Sequence, residues 1–320
     1  NEADLRKPGG RDVEPRTAAG AGQHFENVQA AGVRITKAVE TAQAAEERFL
    51  EIRQPKSTLE LMAKISETDL VLNRDGSVYH LALLPKHISD TVLTVGDPSR
   101  VNFISQHFDS IEFEMNRREF ITQVGTYKGK RVTVISTGIG TDNIEIFFTE
   151  IDALVNIDLK TREPKARKRK LKIIRLGTSG ALQEDIPVGS FLVSDYAIGF
   201  DNLMWFYDLR QDELERNIGE DIRKKLKLPF NLYVVRRSEG LRKQIGADMI
   251  VGNTITAPGF FGPQGRAVRI PIKYPKLLDD LNAYHHRPTD FWLANFEMET
   301  AGYYAMARLL GHEVLSANAI

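Results

Sequence analysis

From Leu81 onward, short runs of apolar and β-branched residues alternate with longer stretches that repeat apolar positions every three or four residues. A buried strand reads as a short continuous apolar run, whereas a helix gathers every third or fourth residue onto one face. The pattern predicts strands over 91–95, 131–136, 172–176 and 191–198, and helices over 98–108, 143–157, 212–226 and 299–310. Strands and helices in alternation specify an α/β fold: a single domain with a central mixed, mostly parallel twisted sheet flanked by helices. Sheets of this kind bind ligands beyond the carboxyl ends of their strands.

The first part of the chain has a different texture. Residues 1–22 carry Pro8, Gly9, Gly10 and Pro15 with an Ala/Gly-rich patch and no apolar h-region, which describes a flexible arm rather than a signal peptide. Residues 23–53 are rich in Ala, Glu and Gln, with Phe25, Val28, Ile35, Val39, Phe49 and Ile52 at mostly helical spacing, so an amphipathic helix is expected to end before Pro55. Dense hydrophobic periodicity begins at Met62. The reading is an N-terminal extension, 1–61, and a domain, 62–320, that stops inside its final predicted strand.

Composition narrows the function classes. Lys plus Arg number 43 and Asp plus Glu number 43, so there is no global charge to attract nucleic acid or an anionic membrane, and any anion must be caught locally. The absence of cysteine excludes disulfides, thiolate metal sites and a Cys nucleophile, and fits a cytoplasmic protein. No apolar run approaches the roughly 18 residues of a membrane span. The basic run from Lys160 to Lys172 contains Pro164 and precedes a strand, so it is read as a solvated loop rather than a polynucleotide patch.

Three predicted strands run directly into glycine loops: Gly96-Asp97-Pro98-Ser99-Arg100, Thr137-Gly138-Ile139-Gly140 and Gly177-Thr178-Ser179-Gly180. Glycine lets a backbone approach a ligand closely and offers N–H donors, and a helix beginning after the loop adds its dipole. Asp97 is placed to cap a helix with Pro98 at its first position. Arg100, Arg118 and Arg175 each stand beside such a loop or a strand end, in a pattern suited to a phosphate dianion. Other motifs fail. Gly138-x-Gly140 has Asn143 where a dinucleotide fingerprint needs its third glycine. The spacing around Ser179 is wrong for a nucleophile elbow. His285-His286 lacks a ligand set and is read as a loop, so no metal site is expected.

Taken in order, Gly96-Asp97-Pro98-x-Arg100, Arg118-Glu119-Phe120, Ser136-Thr137-Gly138-Ile139-Gly140, Arg175-x-Gly177-Thr178-x-Gly180 and Phe296-Glu297-Met298-Glu299-Thr300 resemble the nucleoside phosphorylase I family over residues 62–320. Phe260-Phe261-Gly262-Pro263-Gln264-Gly265-Arg266 is similar to the base-recognition segment of the uridine phosphorylases. The resemblance implies phosphate held by Gly96, Arg100, Arg175 and Thr178, with Arg118 reaching in from a neighbouring subunit. It implies ribose held by His80, Glu297, Met298 and Glu299, His80 crossing a dimer interface, and a base held by Phe260, Gln264 and Arg266.

It also implies a homo-oligomer of dimers assembled to a hexamer, with sites shared across the dimer interface. Inorganic phosphate would be the co-substrate, with no other cofactor. The activity implied is phosphorolysis of uridine, with Arg175, Glu299, Gln264 and Arg266 as the catalytic set. Alternatives are a purine nucleoside phosphorylase or nucleosidase of the same family, or a catalytically silent nucleoside-binding or assembly protein. Glu297-Met298-Glu299 is also readable as no more than the capped start of the helix that follows. The resemblance leaves 1–61 without a counterpart and expects a further loop and helix after Ile320.

Overall fold

The apolar runs form strands, and pairing them in register is what creates a site. The computed structural model describes residues 64–320, so the predicted arm and helix of 1–61 lie outside the described residues. The chain divides into two units, Asn1–Thr58 and Leu59–Ile320, and the second contains every described residue. In chain order the first half comprises β1 (Thr91–Val95), α1 (Ser99–Ser105), β2 (Ser110–Arg117), β3 (Phe120–Tyr127), β4 (Lys130–Ser136), α2 (Thr141–Asn156), β5 (Ile157–Asp158), β6 (Glu163–Pro164) and β7 (Lys172–Thr178). Then follow β8 (Gly180–Ala181), β9 (Phe191–Gly199), α3 (Glu213–Lys225), β10 (Tyr233–Arg236), α4 (Glu239–Arg242) and β11 (Ile250–Thr256). The chain ends with α5 (Leu277–Asn282), β12 (His285–His286), β13 (Phe291–Trp292), β14 (Asn295–Glu297), α6 (Thr300–Leu310) and β15 (Glu313–Ala319).

The main sheet has the order β2-β3-β4-β1-β7-β15-β9-β11-β14-β8, with β10 added on β9. Pairing is parallel at its centre, from β4 through β1 and β7 to β15, and antiparallel in the β2–β3–β4 meander and at the β15–β9 step. Val95 stands opposite both Ser136 and Leu176. The first two glycine loops therefore leave the sheet at one level, whereas the third is not a loop: Gly177 and Thr178 continue β7 opposite Asn318 and Ala319, and Gly180 begins β8. β8 follows β7 after Ser179 alone, yet pairs with β14 at the far end of the order, Gly180 opposite Phe296. The sheet thus closes on itself and carries Glu297 back over β7.

Helices α2 and α6 cover the centre, burying Phe147, Phe148, Tyr303 and Tyr304 in the principal core. Their close approach depends on Gly302, where an added Cβ would stand 3.1 Å from Thr141 Cγ2. The other end of α6 is tied down by Arg308, whose two terminal nitrogens donate to the fully buried Glu215 at 2.7 and 2.6 Å. That carboxylate also closes a capping box with Asp212 at the start of α3.

Two boundaries moved for local reasons. The helix expected over 98–108 ends at Ser105 because Asp109 N–H is drawn into the sheet by Thr126 O at 2.6 Å. The helix expected from 143 starts at Thr141, since Gly140 adopts a φ of 98° and turns the chain into it. The basic run is not a purely solvated loop. Arg162 is buried and donates to the carbonyls of Ser66 and Leu70, while Lys165 and Lys168 donate to Val155 O and Asn156 O at the end of α2. Cations are stabilised there by the helix's unpaired carbonyls. His285-His286 is likewise not loop but strand β12, with His285 Nε2 2.8 Å from Asp290 Oδ1.

Gly199 marks close packing at the end of β9. A Cβ there would lie 2.1 Å from the Tyr233 ring, which cannot swing aside because its hydroxyl donates to Asp201 Oδ2 at 2.7 Å. Gly199→Ala is expected to cost about 1–3 kcal/mol, the usual range for overpacking a filled core. The effect would be read as a lowered urea midpoint at unchanged slope; a midpoint equal to wild type would show that β10 is free to shift.

Candidate functional site

Arg175 lies on β7 with its side chain folded along the strand, and at 3% exposure its charge must be met inside the protein. Nη2 stands 2.5 Å from Glu299 Oε2 and 2.8 Å from Glu297 Oε2. Nη1 donates to Asn318 Oδ1 at 2.7 Å and Ser316 Oγ at 3.4 Å, both on β15. The guanidinium occupies the space a side chain at 177 would take: an added Cβ on Gly177 would be 1.9 Å from Nη1. Gly177 is therefore required by its neighbour, apart from any ligand.

The two carboxylates are not equivalent. Glu297 Oε1 accepts from the Thr256 hydroxyl at 2.8 Å and Thr300 N–H at 3.0 Å, while Oε2 accepts from Glu299 N–H at 3.0 Å and faces Arg175. With about four lone-pair positions on a carboxylate, Glu297 is filled. Its hydrogen bonds to the first amides of α6 make it the cap of that helix, one of the two roles open to this motif. Among the described residues Glu299 accepts only from Gly140 N–H at 2.8 Å and from Arg175, which leaves it acceptor capacity toward a ligand's hydroxyls. Met298, between them, is the partly exposed member of the three.

Two carboxylates against one guanidinium give the cluster an excess negative charge. Burial first, then Glu297, pushes the Glu299 pKa above the ordinary carboxylate range, although Arg175 pulls the other way. Burial opposes the charge on Arg175, but Glu297 and Glu299 together hold it firmly protonated. The Tyr303 hydroxyl, 2.9 Å from Thr94 Oγ1, is pushed up to about 12 by burial and stays neutral.

The register brings the phosphate candidates next to this cluster. Asp97 accepts from Ser99 N–H at 2.8 Å, forming the expected cap, and Arg100 one turn later donates to Leu176 O at 3.4 Å. A Cβ on Gly96 would lie 3.3 Å from both Arg100 Nη2 and Gly138 O, so the first two glycine loops touch at Arg100. Thr178, the last residue of β7, is exposed at the same edge.

The base candidates join from the other side. Arg266 donates to Gln264 Oε1 at 2.5 Å and Phe260 O at 2.6 Å, and its guanidinium lies 3.9 Å above the Phe260 ring centroid. The same group is 5.4 Å from the ring of Phe296, the residue before Glu297. Gln264 is buried and Phe260 is half exposed. A cavity of about 750 Å3 opens beside this loop, with Phe200, Phe230, Phe261 and Leu277 in its wall and Arg266 at its edge; the ion cluster does not line it.

Two predicted residues are not gathered into the site of a single chain. His80 Nδ1 is 2.7 Å from Glu150 Oε1, and Glu150 also accepts the N–H groups of His80 and Leu81. Glu150 lies a helix rise of about 15 Å from Gly140. Arg118 is exposed at the β2–β3 tip with a φ of 54°, although its neighbour Glu119 packs against Gly138. Sequence reasoning overlooked Asn318, Ser316, Thr256, Phe296 and the Gly140 amide. Asn318 and Ser316 stand in register with β7 and Thr256 with Glu297 of β14, positions that need the pairing to be known, while Phe296 and Gly140 lie inside motifs that the sequence did mark without a role for them. Among the described residues no group of three or more His, Asp or Glu side chains could hold a metal ion, and no helix is long and apolar enough to cross a membrane.

Known proteins are similar to this chain in sequence and in fold. A uridine phosphorylase of Thermococcus kodakarensis is 27% identical over 254 residues, covering 78% of this chain and 79% of that one. A DeoD-type purine nucleoside phosphorylase of Colwellia psychrerythraea is 28% identical over 238 residues, covering 74% and 83%. Among solved structures, a Trypanosoma brucei nucleoside phosphorylase described as showing uridine phosphorylase activity superposes with a TM-score of 0.72 at 31% identity, covering 79% of this chain and 90% of that one. The sequence profile of the phosphorylase superfamily matches residues 90–320, so the chain belongs to that superfamily.

Proposed function

We propose that the protein catalyses the phosphorolysis of uridine, and of deoxyuridine, to uracil and a pentose 1-phosphate. The observation that carries this reading is the buried Gln264 amide bonded to Arg266, on a loop stacked against Phe296 immediately before the Arg175–Glu297–Glu299 cluster. The Trypanosoma brucei protein, with its described uridine phosphorylase activity, supports the pyrimidine over the purine. The DeoD-type relative is as similar in identity as the uridine phosphorylase relative, which makes purine nucleosides the comparison to be run.

In the reaction a phosphate oxygen forms a bond to C1′ while the C1′–N1 bond breaks and its electron pair leaves with uracil. Negative charge on the carbonyl oxygens of the departing uracil is stabilised by Gln264 and Arg266, donors of the oxyanion-hole type, commonly worth about 10²–10³-fold each. Glu299 accepts the sugar hydroxyls and fixes the ring for in-line attack. Arg100, the Gly96 backbone and the Thr178 hydroxyl receive phosphate. Arg175 donates to Glu299, Asn318 and Ser316 and is ion-paired with Glu297, so it acts on phosphate through its charge, and on the sugar through Glu299. Arg118 and His80 complete the site from a second copy of the chain, in dimers that assemble to a hexamer in the cytoplasm. The chemistry requires inorganic phosphate and no organic cofactor.

A nucleoside panel tests the substrate. Uridine with phosphate is expected to release base roughly 10- to 200-fold faster than inosine or adenosine, the range one shape mismatch gives in a pocket. Preference for a purine nucleoside would move the assignment to the purine branch, and calorimetric uridine binding without turnover would favour a silent binding protein.

Glu299→Gln removes a charge-assisted acceptor worth about 1.5–3 kcal/mol, so kcat/KM should fall by one to two orders of magnitude. Because the folded-state pKa of Glu299 is raised, the stability it contributes is complete below the ordinary carboxylate range and lost as pH rises through the raised value. The difference in melting temperature between Glu299→Gln and wild type should therefore shift in the variant's favour from pH 5 to pH 8. A pH-independent difference would contradict the raised pKa.

A further inference from the structure

Apart from its two carboxylates, Arg175 begins a row of side-chain hydrogen bonds that crosses the sheet one strand at a time. Nη1 donates to Asn318 Oδ1 on β15 at 2.7 Å, and Asn318 Nδ2 donates to Ser194 Oγ on β9 at 3.3 Å. Ser194 Oγ lies 2.5 Å from Thr254 Oγ1 on β11, and Thr254 donates in turn to Asn295 Oδ1 on β14 at 2.8 Å. Asn295 Nδ2 then donates at 2.9 Å to Ser179 Oγ, in the turn by which the chain leaves β7 for β8. Because the sheet closes through β14 and β8, the row returns to the end of the strand on which it began. Asn318, Ser194, Thr254 and Asn295 are all fully buried, and no step of the proposed reaction uses Ser194, Thr254 or Asn295.

The cation sets the direction of this row. A guanidinium can only donate, so Asn318 turns its carbonyl oxygen to Arg175 and its NH2 to Ser194. Thr254 gives its proton to the Asn295 carbonyl oxygen, hence the proton between the two hydroxyls comes from Ser194. Every bond points away from Arg175, and Asn295 is left with its NH2 facing Ser179. Turning the Asn295 amide over would leave the Thr254 proton facing a donor in a dry interior, where an unsatisfied polar group is costly.

The turn at the far end carries Thr178, which pairs in register with Ala319. The next residue, Ser179, is fixed by two bonds: its N–H donates to Ala319 O at 2.9 Å, and its hydroxyl accepts from Asn295. We propose that Asn295 is a positioning residue for phosphate: with its amide locked by Thr254, it holds Ser179 and so sets the place of the Thr178 hydroxyl relative to Arg175. The proposal rests on the assignment of Thr178 to phosphate. The competing explanation is that the row only satisfies polar groups inside the sheet, in which case disturbing it lowers stability and leaves phosphate affinity alone.

Thr254→Val keeps the shape of a fully buried side chain but removes the donor that orients Asn295. Calorimetry with inorganic phosphate alone should give a Kd about tenfold above wild type, the scale of one misplaced hydrogen bond to an anion. With nucleoside present, the KM for phosphate should rise in step while kcat changes less. Thr254→Ser, which restores the hydroxyl, should return both close to wild type. Ser179→Ala should weaken phosphate similarly, and at a partly exposed position it tests the proposal even where Thr254→Val folds poorly. Combining the two should cost little more than either, since both cut the same row. Wild-type phosphate affinity in Thr254→Val and Ser179→Ala, or losses that multiply in the double variant, would overturn the proposal.

Amide hydrogen exchange gives a readout independent of any ligand. Exchange at Ser179 should speed up about tenfold in Thr254→Val, with Val134 in β4 unaffected. Unchanged protection at Ser179 would overturn the proposal in a protein that still bound phosphate. A wild-type protein that bound no phosphate would instead defeat the functional reading, and the proposal with it.

Discussion

A single buried cation organises this protein. Arg175 sits inside the sheet with almost no access to water, and a charge in that position is tolerable only when it is paired and hydrogen-bonded. Removing one partner of such a pair commonly costs about 3–5 kcal/mol, because the remaining charge stays buried. The neighbouring features follow from that need. Gly177 leaves room for the guanidinium, Asn318 and Ser316 satisfy one of its nitrogens, and the closure of the sheet through β8 and β14 delivers Glu297 and Glu299 to the other.

The same arrangement separates structural from chemical work among residues that look alike. Glu297 is filled by Thr256, the first amides of α6 and Arg175, so it holds the helix and the cation. Glu299, held by Gly140 and Arg175, keeps acceptor capacity toward the open side. Its carboxylate is poised by opposing influences: burial and Glu297 raise its pKa, and Arg175 lowers it. Hydroxyl donors from a sugar would stabilise the ionised form, and Arg100 at the contact of two glycine loops supplies positive charge for an anion close by. Under the proposed function, the protein scaffold thus places an acceptor group, a cationic corner and the Gln264–Arg266 base loop around one sugar carbon.

Much of this was legible in the chain. Continuous apolar runs marked β1, β4, β7 and β9 to within a residue or two, because strands buried on both faces need no polar alternation. Asp97-Pro98 announced the start of α1, and of the arginines beside glycine loops Arg175 stands in a buried ion cluster. Other features depend on distant pairing that periodicity cannot reveal. The closure through two-residue β8, the antiparallel β15–β9 step and the role of Asn318 follow from register. Arg162 looked like one more basic residue in a polar run, yet the carbonyls of Ser66 and Leu70 make it a buried anchor. His80 and Arg118 carry the resemblance in sequence but stand apart from the cluster of their own chain.

The central claim is that this site joins phosphate to the sugar as the base departs. Phosphorus NMR of the protein incubated with uridine and inorganic phosphate tests it most directly. The account predicts a new sugar 1-phosphate resonance that grows in equal amount with free uracil and disappears when phosphate is omitted. Uracil released together with free ribose, with no phosphorus signal other than inorganic phosphate, would contradict it.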